Sequence, residues 1–108
     1  MEQQDVRGVV LSPTDLVEYE DGAVVSKTLL KEKAGSVTIF SFDRGQELSE
    51  HTVPHDALVH VVDGEAEITI SGTPHRLQQG HMILMPANEA HAVKAIRRFK
   101  MVLTLIRG

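Results

Sequence analysis

The sequence predicts an all-β fold, an antiparallel sandwich or barrel with the jelly roll among the candidates. Three observations carry this. Apolar residues recur at every second position rather than every third and fourth, the apolar runs are short and separated by Gly-containing turns, and no segment carries a long helical stripe. "SPTDLVEYE" (12 to 20) alone has helix-start chemistry, with Ser12 or Thr14 as cap and Pro13 early, and it is too short for more than a minor element. "AVVSKTLLK" (23 to 31) is the first expected strand. "SVTIFSFDRG" (36 to 45) follows, with Val37 and Ile39 on one face and Phe40 and Phe42 on the other. "ALVHVVD" (57 to 63) leads into Asp63-Gly64, where the positive φ that glycine permits predicts a tight hairpin into the next strand. In that strand, "EAEITIS", Ala66, Ile68 and Ile70 point one way while Glu65, Glu67 and Thr69 point the other, as in a half-buried antiparallel strand. Ser71-Gly72 and Gln79-Gly80 mark the next two joints, and "MILM" (82 to 85), "HAVKAI" (91 to 96) and "FKMVLTLI" (99 to 106) complete the set.

Composition narrows the function classes. A chain of 108 residues is the size of one compact domain, expected to span 1–108. Hydrophobic residues at 42% and charged residues at 24% suit an ordinary globular domain, and aromatics at 4% leave the core to aliphatics. A net charge of -4 without any Lys/Arg stripe argues against a nucleic-acid partner. The apolar runs are far shorter than the roughly 20 residues needed to cross a bilayer, so no membrane partner is expected. Without cysteine there is neither a disulfide framework nor a thiolate metal site, and "MEQQDVRGVV" has no secretory flank, which makes a cytoplasmic location the expectation.

The stretch "SEHTVPHDALVHVVDG" holds three of the six histidines, His51, His55 and His60. It also carries a family resemblance: Gly45 to about Lys94 resembles the paired motifs of the cupin superfamily. The first motif runs Gly, five residues, His-x-His, three or four residues, Glu, six residues, Gly, and here Gly45, His51 and Gly64 stand in register. The second runs Gly, five residues, Pro-x-Gly, two residues, His, three residues, Asn, matched by Gly80, Pro86 and His91. The resemblance implies an antiparallel jelly-roll β-barrel with a degenerate first motif. Val53 replaces the second histidine, Ala57 the glutamate and Ala95 the asparagine, while Asn88 stands for a glycine and can keep positive φ. Of the usual metal ligands, His51 and His91 remain.

His55 supplies a third imidazole. Proline removes a ladder donor, so "TVP" before His55 predicts a corner from which that side chain can reach the barrel mouth. His51, His55 and His91 would then hold a divalent transition metal, Zn, Ni, Cu, Fe or Mn, with open positions left for water or ligand. Alternation sets His60 on the far face from Ala57 and Val59, and His75 and His81 lie beside turns as solvated groups. Glu47, Glu50 and Asp56 are near enough in sequence to complete a coordination shell or to orient an imidazole through its second nitrogen. Met82, Met85 and Met101 fit apolar strand patterns and read as core filling. The resulting expectation is a metal-binding, cupin-type small-molecule protein. Whether it is an enzyme stays open, because paired carboxylates, a Ser/His/Asp set and a phosphate loop are all missing from the sequence. The alternative is a non-catalytic barrel that binds or senses a small ligand without metal. A homodimer is expected through "VRGVVL" and "FKMVLTLI", since a small open barrel leaves edges and apolar faces to cover.

Overall fold

The computed structural model describes residues 5–107. A 3-10 turn at Pro13–Asp15 precedes β1 (Val24–Glu32), β2 (Gly35–Phe42), β3 (Glu47–His51), β4 (Asp56–Asp63), β5 (Glu65–Ile70), β6 (Thr73–Gln78), β7 (Met82–Met85), β8 (His91–Ala95) and β9 (Phe99–Ile106). Ser12 sits at the cap of the short turn with Pro13 after it, as its sequence suggested, although the Ser12 side chain makes no capping bond. Among the described residues no helix is long and apolar enough to cross a membrane.

The strands form two antiparallel sheets, one of five in the order β1-β2-β9-β4-β7 and one of four in the order β3-β8-β5-β6. Two expectations need correction. Asp63-Gly64 closes no hairpin, because β4 pairs with β7 and β9 while β5 pairs with β6 and β8. The joint instead carries the chain from one sheet to the other. Gly64 does have a positive φ of 77°, but its second role is close approach, since a Cβ there would land on the carbonyl of Arg98. Nor do hydrogen bonds close the sheets into a barrel: β6 and β7, consecutive in sequence, end as edges of different sheets. Ser71-Gly72 does turn a hairpin, with both residues at positive φ between the paired Ile70 and Thr73.

The core lies between the sheets. Val59, Val61, Met101 and Phe99 of the larger sheet face Ala66, Ile68, Val93 and Ala95 of the smaller one, in one cluster that also takes in Phe42 and Leu77. Phe42 and Phe99, cross-strand neighbours, stack with centroids 4.5 Å apart. Burying each such side chain is worth about 1.5–3 kcal/mol, which holds the sheets face to face. Residues 14–22 form a strap across the outer face of the larger sheet. Lys100 Nζ donates to the Thr14 carbonyl at 2.6 Å, Ser41 Oγ donates to the Glu18 carbonyl at 2.8 Å, and Val17 is buried beneath. Tyr19 lies under the Lys100 ammonium, 4.7 Å from its ring centroid, and donates its hydroxyl to Asp63. Burial and then that carboxylate push the Tyr19 pKa far above its ordinary value.

Candidate functional site

His51 ends β3 and His91 begins β8, and the two are direct cross-strand partners. Their shared face is settled by a bulge. Leu48 pairs with Val93 and His51 with His91, so β3 spends one more residue than β8 between these pairs. Without that extra residue, Leu48 and His51 would point to opposite faces of the sheet. With it, His51 joins His91, Val93 and Ala95 on the inward side. The start of β3 is held to β8 by Gly45 N–H to the Ala95 carbonyl and Ala95 N–H to the Gln46 carbonyl, each 2.9 Å.

The rings meet edge to face, with centroids 4.3 Å apart and Nε2 atoms 3.1 Å apart. His91 is buried at 5% exposure, whereas His51 on the edge strand is open to solvent. His51 Nδ1 lies 2.8 Å from the Ser49 carbonyl and His91 Nδ1 lies 3.3 Å from the Glu89 carbonyl. A carbonyl only accepts, so both Nδ1 atoms carry hydrogen. Two neutral rings so anchored would aim two lone pairs at each other across 3.1 Å. A positive centre between the Nε2 atoms, a proton or a metal ion, removes that conflict. Burial, and then the neighbouring His51, hold the His91 pKa below its ordinary value, against a smaller opposing effect of the Glu89 carbonyl. Both effects favour the neutral imidazole, the form that binds metals.

The loop before His91 is tied down on both sides. Asn88 N–H donates to the Val53 carbonyl and Ala87 N–H to Asp56 Oδ1, each at 2.8 Å. Ser71 contributes its N–H to the Ala90 carbonyl and its hydroxyl to Glu89, again at 2.8 Å. Asn88 keeps the positive φ expected of it, at 67°.

The other candidates separate. Thr52, Val53 and Pro54 leave the strand, as the proline predicts, and His55 follows on that connection, half-buried, with no hydrogen bond or ring contact to either paired histidine. Among the described residues no three His, Cys, Asp or Glu side chains stand together as a metal-holding group. Ala57 and Ala95 place core methyl groups where the family motifs put a carboxylate and an amide. Glu47 pairs with Lys94 on the outward face, and the Asp56 carboxylate is used by the Ala87 N–H. The imidazoles are oriented by backbone carbonyls instead of the expected carboxylates. His60 faces outward opposite Met82 and Val102, as alternation implied. His81 is exposed as expected, while His75 is half-buried in β6 opposite Ile68, inward rather than solvated. Met85 and Met101 are buried, but Met82 is 59% exposed and fills no core. The residues the sequence did not reveal, Ser49 and Glu89, act through carbonyls that every residue type possesses.

The family model for the cupin domain matches residues 38–106. Among solved structures, a conserved protein of unknown function from Streptococcus pyogenes is 36% identical, covering 99% of this chain and 93% of that one with a TM-score of 0.91. A cupin 2 conserved barrel domain protein from Leptotrichia buccalis is 40% identical over 87% of this chain, with a TM-score of 0.85, and this chain spans 46% of its length. A cupin superfamily protein from Desulfitobacterium hafniense is 25% identical, with 99% and 97% of the two chains covered and a TM-score of 0.87. No curated protein matches. With the matched region running from β2 to the end of β9 and taking in both paired histidines, the chain belongs to the cupin family.

Proposed function

We propose that this chain is a metal-binding, cupin-type small-molecule protein whose divalent transition metal is held by His51 Nε2 and His91 Nε2, with His55 from the β3–β4 connection as the third donor. The observation that carries the proposal is the pair of opposed Nε2 lone pairs at 3.1 Å. The 3.1 Å between the Nε2 atoms would let both rings hold one ion through bonds of about 2.0–2.1 Å each. The donor set thus fits two neighbouring positions of one ion. A metal there supplies a Lewis acid toward an oxygen of a bound small molecule. The chain's own part is to fix both rings through the Ser49 and Glu89 carbonyls and to favour the neutral form of His91, which stands across the strand from Ile70.

The absence of a third grouped ligand among the described residues supports a second reading, a barrel that binds an organic ligand without metal. In that case the two rings share one proton and present a single positive charge. Metal analysis of protein purified without an affinity tag separates the two. About one ion per chain in the wild type, none in His91→Ala and reduced occupancy in His55→Ala are expected. Full occupancy in the His51→Ala and His91→Ala variants, or a wild type that takes up none of Zn, Ni, Cu, Mn and Fe at saturation, overturns the metal reading. The macromolecular partner in this proposal is a second copy of the chain, supported by the exposed Val9, Val10 and Ile106 on the two segments named from sequence.

A further inference from the structure

The two sheets part company between β6 and β7. Both strands are sheet edges, and the space between them is an open cleft of about 490 Å³. Its floor is apolar: Leu77 is 3% exposed and belongs to the core, and Ile83 packs against that core. Its rim carries His75, Arg76 and His81, with Met82 beside them, and no carboxylate lines it. Arg76 is paired with Glu65 at 2.9 Å and lies 3.9 Å from Glu67, so its charge is met by carboxylates behind the rim. His81 is different. Its Nδ1 accepts the Gln78 N–H at 2.9 Å, which puts the ring proton of the neutral form on Nε2 as a donor. His75 has no hydrogen-bond partner among the described residues and stands opposite Ile68, on the inward face. The cleft therefore joins a rim of imidazole hydrogen-bond donors to an exposed edge of the hydrophobic core, and it shares no lining residue with the His51–His91 pair.

From this geometry we infer that the β6–β7 seam is a second binding site, taking a small aliphatic carboxylate whose head meets His75 and His81 and whose tail lies on Leu77 and Ile83. Head and tail are both needed, because the rim donors are exposed enough to be hydrated and the floor is too small to hold a tail alone. The probe is sodium octanoate, titrated into the full chain and followed by backbone amide shifts, with acetate and octan-1-ol in parallel. Octanoate should give saturable shifts at Leu77, Gly80, His81 and Ile83 with half-saturation in about the millimolar range, and acetate and octanol should each bind at least about five-fold more weakly. His81→Ala should weaken octanoate about five-fold. Met82→Glu, at a position 59% exposed and so compatible with the fold, should repel it by placing a carboxylate on the rim. Octanol binding as tightly as octanoate, octanoate binding unchanged in a well-dispersed Met82→Glu variant, or octanoate shifts confined to the surroundings of His51 and His91 would overturn the inference. The metal content of the His51–His91 pair does not enter the readout, so the two sites stand or fall separately.

Discussion

His91 combines burial with a ring neighbour of its own kind, and both effects disfavour its charged form. An unfolded imidazole titrates near about pH 6.5, whereas folding holds His91 below its ordinary value. Over the window between these two values the unfolded chain binds a proton that the folded chain does not. Stability from this group is thus fully present above about pH 6.5 and is lost as the pH falls through the folded pKa. In metal-free protein the urea midpoint should drop between about pH 7.5 and about pH 5, and His91→Gln should remove part of that drop. Superimposable pH profiles for the two proteins would assign the dependence elsewhere. The identities of His51 and His91 were legible in the sequence because glycine and proline spacing fixes their register. Their tautomers were not, since these depend on the carbonyls of Ser49 and Glu89, and a carbonyl leaves no trace in side-chain identity.

Strands with one face buried declare themselves, as β5 does with Ala66 and Ile68 both at 0% exposure. Edge strands do not. β3 has only one residue that is even half-buried, and β6 contributes a single buried side chain, Leu77, so neither presents the alternation that a period-2 reading needs. Pro74 in β6 is compatible with that edge position, where a missing N–H breaks no second ladder. The Asp63-Gly64 joint failed differently. Its composition reports positive φ correctly but says nothing about which strands pair, and the glycine is also required by the Arg98 carbonyl beside it. Two glycines test this distinction. Gly72→Ala, with positive φ and open space around it, should cost about 1–2 kcal/mol. Gly64→Ala must in addition displace the backbone at Arg98 and Phe99, and should cost at least about 2 kcal/mol more, if it folds at all. Equal denaturation midpoints for the two variants would mean that the close approach at Gly64 is relieved without cost.

The molecule as a whole leaves the outer face of its larger sheet half covered. The strap seals Ile39, Ser41 and Lys100, at 0%, 1% and 7% exposure. Beyond it, Met82, His60 and Val102 form one cross-strand row and Leu84, Leu58 and Thr104 the next. Met82, Leu84 and Ile106 remain 59%, 56% and 53% exposed, and Val10 is 98% exposed. An apolar sheet face of this kind on a chain of net charge -4 invites self-association more than contact with an acidic partner. A two-fold dimer would set the same rows of two copies against each other. Light scattering coupled to gel filtration should therefore give twice the 11.9 kDa chain mass at micromolar concentration. The double variant Leu84→Lys, Ile106→Lys should elute at the single-chain mass with an unchanged far-UV spectrum, because both side chains already face solvent in the lone chain and the lysines disturb no core. A monomeric wild type, or a double variant that stays dimeric, would overturn this assignment of the partner contact.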